Sequence, residues 1–334
     1  AVVHLMFNVI GVAVVLTLFC LVKLIFAPEI FNEPATMYGI ALAHSAFNIL
    51  CTAMLLPAGG WLEKLAIRMV PDKGGAEAVS ELDERLLATP SLALQRSHTV
   101  AAEMAERSIR AMQNALLSIS AYTPELAQSI RDDEDACDHY EDILGTYLVK
   151  LSARKLGENE SEEATELLKS IGDFERISDH AVNILGSAEE LRDKKLSFSD
   201  SAKGEFETLA NALREILALS LRAFSTGDIA VASEVEPLEQ VIDLLKEQMR
   251  TRHILRMQQG NCSIEAGFVW SDLLTNLERT SDHCSNIAGC IIDTAQHNLN
   301  LHETLRATKL TSESFREKFT QYAHKYSLPN SAEA

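Results

Sequence analysis

The segment G-D-F-E-R-I-S-D-H-A-V-N-I-L-G (172–186) returns 103 residues later as T-N-L-E-R-T-S-D-H-C-S-N-I-A-G (275–289). From Glu175 to Gly186 and from Glu278 to Gly289, eight of twelve positions are identical, and both copies read E-R-x-S-D-H-x-x-N-I-x-G. An earlier pair aligns as well: E-D-A-C-D (134–138) corresponds to E-Q-V-I-D (239–243), offset by 105. Two copies about 100 residues apart, each at the same place in a three-helix array, mean a duplicated bundle.

Outward from these copies, the pattern from Leu92 onward is helical throughout. Helices are expected at 92–120, 124–156, 160–193, 200–226, 234–259 and 264–297, with a weaker one at 300–326. Abundant Ala, Leu, Glu and Ser with few aromatics favour helix. The fold class is therefore all-α. Its soluble part is a bundle over 92–300, with repeats of about 92–195 and 200–298. A C-terminal helix and tail follow at 301–334.

The duplicated copies hold four E-x-x-x-D pairs: Glu134/Asp138, Glu175/Asp179, Glu239/Asp243 and Glu278/Asp282. Each places two carboxylates on one face, one turn apart, where like charges destabilise a helix by a few tenths of a kcal/mol. Arg176 or Arg279 folding across the helix would offset that cost, and so would a bound cation. Carboxylates projecting from facing helices are how bundles hold di-iron and di-manganese centres. The eight acids are the candidate ligands for a divalent or transition metal. A solvated acidic face is the simpler alternative. His180 and His283 offer nitrogen ligands, or else the Asp-His-x-x-Asn segments are packing devices between helices.

The N-terminal part reads differently. Ala1 to Val22 and Tyr38 to Leu62 carry no charged residue. A helix over the first run spans roughly 33 Å, a bilayer-core length. Residues 1–70 are thus expected to hold two transmembrane helices, joined by the acidic turn A-P-E-I-F-N-E-P (27–34). Residues 71–91, with Pro71, a Gly pair and Pro90, form a linker. Lys64, Arg68 and Lys73 follow the second run, so the positive-inside rule places residues 71–334 in the cytoplasm and the chain in the inner membrane as a multi-pass protein. Because the chain opens inside an apolar run, further membrane-embedded sequence is expected before Ala1.

A smaller repeat lies there. A-V-V-H-L-M-F-N (1–8) matches A-L-A-H-S-A-F-N (41–48), both giving H-x-x-F-N. Polar groups at membrane depth face helix interfaces or hydrated cavities. His4, Asn8, His44 and Asn48 are therefore candidates to line a transport path, or they only hydrogen-bond neighbouring helices.

Charge excludes one class of partner. Residues 1–71 balance to zero, so the whole net charge of −18 falls on 72–334. That argues against nucleic acid, whose phosphates need Lys and Arg. The six cysteines form no C-x-x-C pair and read as free thiols. No phosphate loop, H-E-x-x-H or nucleophile motif is present, so no enzyme is expected. Ser-Asp-His (178–180, 281–283) is consecutive on a helix and cannot converge as a triad.

These motifs resemble two families. The E-R-x-S-D-H-x-x-N-I segments look like PhoU-like domains, six-helix bundles of two three-helix repeats. The H-x-x-F-N segments, with the L-L-P that follows and the linker L-D-E-R-L-L-A-T-P-S-L-A-L (82–94), resemble the end of a bacterial sodium-dependent phosphate symporter. The resemblance implies symport of inorganic phosphate with sodium as coupling ion, metal binding at the E-x-x-x-D pairs, and contact with the lipid bilayer, the upstream part of the transporter and phosphate-signalling proteins. The substrate motifs of that family are absent from residues 1–71. The alternative is a membrane-anchored metal-binding sensor or adaptor without transport activity.

Overall fold

A computed structural model describes residues 2–26, 36–55, 82–260, 262–296 and 313–328, with side chains in the first stretch described for 11–25. The chain divides into two units, Ala1–Lys73 and Gly74–Ala334.

In the first unit, α1 (Val2–Phe26) packs against α2 (Met37–Leu55). Among the described residues, no helix is long and apolar enough to cross a membrane. The described residues of α2 are diluted by His44, Ser45, Asn48 and Thr52. The multi-pass placement in the inner membrane is corrected accordingly, and the two expected spans find no support among the described residues.

In the second unit, a 3-10 turn at Glu84–Ala88 leads into six long helices. These are α3 (Pro90–Ser118), α4 (Pro124–Ser152), α5 (Glu158–Asp193), α6 (Asp200–Thr226), α7 (Ile229–Gln258) and α8 (Ile264–Gln296). A short α9 (Glu313–Lys325) follows. The starts are written in local chemistry. Thr123 Oγ1 accepts from the Leu126 amide with Pro124 behind it, and Ser199 Oγ accepts from Ala202. Gly227, at φ +65°, ends α6 in the left-handed region. Asp228 beside it accepts from the amides of Ala230 and Val231. That two-residue joint is why α7 begins at Ile229 rather than at 234.

α3, α4 and α5 form one three-helix repeat, and α6, α7 and α8 the other. The repeats meet where α5 packs on α8 and α3 on α6, while α9 lies on α7. The core follows this seam. Ile171, Phe174, Ile177 and Leu185 on α5 are fully buried, as are Leu213, Ile216 and Leu217 on α6 and Leu273 and Leu277 on α8. Each such side chain contributes about 1.5–3 kcal/mol. Ala101, Met104, Ala105 and Ser108 let α3 approach α5 closely enough for Ser108 Oγ to donate to the Phe174 carbonyl at 2.6 Å. All six cysteines are free, and burial pushes the Cys137 and Cys284 thiols up to about 12, leaving them unreactive.

Candidate metal centre

Three-helix packing turns the first two E-x-x-x-D pairs toward each other. Glu134 and Asp138 stand on α4, and Glu175 and Asp179 on α5, which packs against it. Ligand oxygens of Glu134, Asp138 and Asp179 lie within 4.8 Å of one another, the one such group among the described residues. Glu175 stands beside them, tied to Arg176 at 3.5 Å, and Arg176 also reaches Asp179 at 3.2 Å. Arg176 is 61% exposed, so it leans over the cluster from solvent.

The electrostatics are those of acids held too close. Partial burial, then the charges of Asp138, Asp135, Asp179 and Glu175, push the Glu134 carboxyl up to about 7. Asp138 is raised by burial and by Asp179, Asp135 and Asp142. Glu175 is raised by burial and Asp179, against Arg176. Three oxygen donors with no sulfur or nitrogen suit hard divalent ions such as Mg²⁺ or Mn²⁺. The donor set, and a repulsion that Arg176 relieves only in part, fit a cation held by Glu134, Asp138 and Asp179.

The raised Glu134 gives the bundle a pH dependence. The folded carboxyl keeps its proton up to about 7, the unfolded one only to its ordinary value of 4.5. Between these values the folded state binds more protons, so stability falls as pH rises. The penalty is absent below pH 4.5 and full above 7. With solvent screening it amounts to about 1 kcal/mol. Glu134→Gln should therefore stabilise the metal-free protein at about pH 8 and leave it unchanged at pH 4.5. Thermal melts at both pH values check this; equal effects at both would contradict it.

The second quartet is arranged differently. Lys246 on α7 places Nζ 2.7 Å from Glu278 Oε1. The Asp282 carboxyl is pushed up to about 6 by burial, Glu278 and Asp243, while His283 and Lys246 pull it down. Glu239 and Asp243 do not join Glu278 and Asp282 in a metal-sized group.

The histidines serve the seam between repeats. His180 Nδ1 meets Asn276 Oδ1 at 2.9 Å, and His283 Nδ1 meets Asp173 Oδ1 at 2.8 Å. Asn286 Nδ2 donates to the same Asp173 oxygen at 3.2 Å, and the two imidazoles stand 5.6 Å apart. Asp173 and Asn276 are the same position of the two copies, so one contact is repeated across a pseudo-twofold axis. Of the two readings of Asp-His-x-x-Asn, packing is the one this geometry supports. Burial lowers the His180 pKa, so its ring faces Asn276 in the neutral form. The acid and histidine patterns single out neither Asp173, Asn276 nor Lys246. The first two sit seven residues before their own copy's histidine, a same-face spacing that marks them.

In the first unit, Asn48 Nδ2 and His44 Nε2 are 3.1 Å apart on an exposed face of α2. The contact is within one helix, between residues one turn apart. The side chains of His4 and Asn8 lie outside the described residues.

Two packed three-helix repeats with paired acids on neighbouring helices define a duplicated all-α bundle. The chain belongs to the PhoU domain family: that domain matches residues 101–188 and 206–291, together just over half of the chain. It is similar to the phosphate-specific transport system accessory protein PhoU homolog 1 of Thermotoga maritima. The two are 24% identical over 203 residues, covering 60% of this chain and 86% of the relative. Its fold resembles the crystal structure of the phosphate transport system regulatory protein PhoU from Streptococcus pneumoniae, with TM-score 0.56, 19% identity, and coverage of 63% of this chain and 99% of that one. It also resembles PhoU from Pseudomonas aeruginosa, with TM-score 0.53, 20% identity, and coverage of 64% and 99%. The family match lies within the bundle, and these comparisons lend no support to a sodium-phosphate symporter in residues 1–70.

Proposed function

We propose that the protein regulates phosphate transport through a divalent cation held by its first repeat. Family membership supports the phosphate-regulatory role, and the relative from Thermotoga maritima is named as an accessory protein of phosphate-specific transport. One observation carries the metal part: Glu134, Asp138 and Asp179, from two different helices, bring ligand atoms within 4.8 Å.

The geometry suggests how a cation acts. α4 is held on the bundle by Arg110 and Arg107 reaching Asp133, and by Arg131 with Glu189 at 2.8 Å. A cation on the triad ties α4 to α5 a second time and cancels the repulsion between them. Without it, the same carboxylates push the two helices apart. A ligand shifts such an equilibrium only by its differential affinity for the two arrangements, and here that difference lies in the triad itself. A partner that reads the outer face of α4 then reads cation status.

The test is phosphate uptake in cells expressing the full chain. Uptake in cells with wild-type protein should respond to phosphate supply, and that response should be lost with the triple variant Glu134→Gln, Asp138→Asn, Asp179→Asn. Uptake indistinguishable between the two would reject the reading.

A further inference from the structure

The duplicated register carries one reversal of charge. Glu134 and Asp138 align with Glu239 and Asp243 at an offset of 105, and the next residue on the same face, Glu141, aligns with Lys246. In the first repeat Glu141 adds to the negative field at Glu175. In the second, the equivalent side chain is a cation, 2.7 Å from Glu278. Lys246 is 21% exposed and Glu278 20%, so this ion pair is set into the bundle. The ammonium is also close enough to hold the Asp282 carboxyl down.

We propose that Lys246 is the resident cation of the second acidic quartet, and that it limits the protein to a single metal centre, in the first repeat. The inference rests on the metal reading of the first repeat given above.

The physical contrast is between a tethered charge and a free one. Lys246 is delivered by its own helix, so its ammonium reaches Glu278 without the entropy loss of capturing an ion from solution. A divalent ion entering there would have to displace the ammonium from Glu278 and leave it half-buried beside two like charges. At the first repeat the neighbouring cation is Arg176, 61% exposed, which can withdraw into water when a metal arrives. The convergence of ligand atoms follows the same division: Glu134, Asp138 and Asp179 form a metal-sized group, and the second quartet does not. Two copies of one motif thus divide their roles, one exchanging its cation with solvent and the other carrying a fixed one.

The test is Mn²⁺ binding to the full chain, measured by calorimetry and by metal content after gel filtration. Asp243→Asn with Asp282→Asn should leave wild-type stoichiometry unchanged. Lys246→Glu should bind at least one additional Mn²⁺ equivalent, whereas Lys246→Arg should not. In the background of Asp138→Asn and Asp179→Asn, Lys246→Glu should still gain its equivalent and melt higher with Mn²⁺. Lys246→Gln, a milder change, should show the same gain if the glutamate variant is poorly folded. Loss of Mn²⁺ from the wild type on Asp243→Asn with Asp282→Asn overturns the proposal and leaves the first centre intact. So does a folded Lys246→Glu or Lys246→Gln that gains nothing. A wild type that binds no Mn²⁺ rejects the metal reading of the first repeat, while a gain in the Lys246 variants still assigns the second quartet to Lys246.

Discussion

Replacing Glu134, Asp138 and Asp179 together by their amides should weaken divalent-cation binding on the order of 100-fold or more, and should stabilise the metal-free protein. The two effects have opposite signs for one reason. Each carboxylate is a ligand when the cation is present and a source of repulsion when it is absent. Affinity at oxygen sites is set by the charge count of the ligands, and a factor of about 100 corresponds to only about 2.7 kcal/mol. Removing the like charges relieves about 1–2 kcal/mol in the metal-free bundle, where burial and neighbouring acids hold Glu134 up to about 7. For the wild type, a cation at about 100 times its dissociation constant adds about 2.7 kcal/mol, a melting shift of roughly 5–10 °C. The triple variant should start higher and not move. Paired melts with and without Mn²⁺ check this. A wild type indifferent to every divalent ion, or a triple variant that melts lower than wild type without metal, would remove the basis for a cation site.

The duplication is near-symmetric where it packs and asymmetric where it binds. His180 and His283 make equivalent contacts across the seam, to Asn276 and Asp173. Asp173 brings a carboxylate to one of these contacts and Asn276 an amide to the other. The acid quartets depart from symmetry further, through Glu141 and Lys246. Divergence of this kind keeps the core and lets one surface change its chemistry.

Much of this bundle is legible in the amino-acid sequence. The E-R-x-S-D-H-x-x-N-I-x-G copies and the helical periodicity are enough to define six helices in two repeats, because spacing on a helix is fixed by its turn. The four E-x-x-x-D pairs are visible as acids one turn apart on a helix face, but the spacing cannot show which pairs converge, since that depends on how α4 lies on α5. The side chain that separates the two quartets, Lys246, lies outside the repeated motif and is visible only when the copies are aligned beyond it. The N-terminal runs mislead for a different reason. Absence of charge reads as membrane span, while the described part of α2 carries polar groups at His44, Ser45, Asn48 and Thr52. The helix expected at 300–326 lies outside the described residues over its first part. Its described part begins at Glu313, and it is held by Tyr322 and Lys318 to Glu234 and by Lys325 to Glu215, contacts no local pattern announces.

The largest effect on stability should come from Glu205→Ala, a loss of about 3–5 kcal/mol. Glu205 lies on α6 with its side chain 1% exposed. Its Oε1 accepts from Arg256 Nη1 at 2.8 Å and faces Arg252 Nη1 at 3.4 Å. Arg256 is itself 11% exposed and lies over the Trp270 ring, 5.6 Å from its centroid. A buried ion pair contributes little net stability when whole, because desolvation cancels most of its attraction. Breaking it is another matter: the alanine variant would leave the Arg256 guanidinium inside the protein with no counter-charge facing it from α6. The double replacement Glu205→Leu with Arg256→Met removes both charges and keeps the volume, so it should recover to within about 1 kcal/mol of wild type. Arg252, 27% exposed, can turn outward in that variant. Urea unfolding of the full chain at neutral pH measures all three proteins. A Glu205→Ala loss under about 1 kcal/mol would mean that Arg256 escapes to solvent when unpaired, and that the α6–α7 contact is held by its apolar neighbours alone.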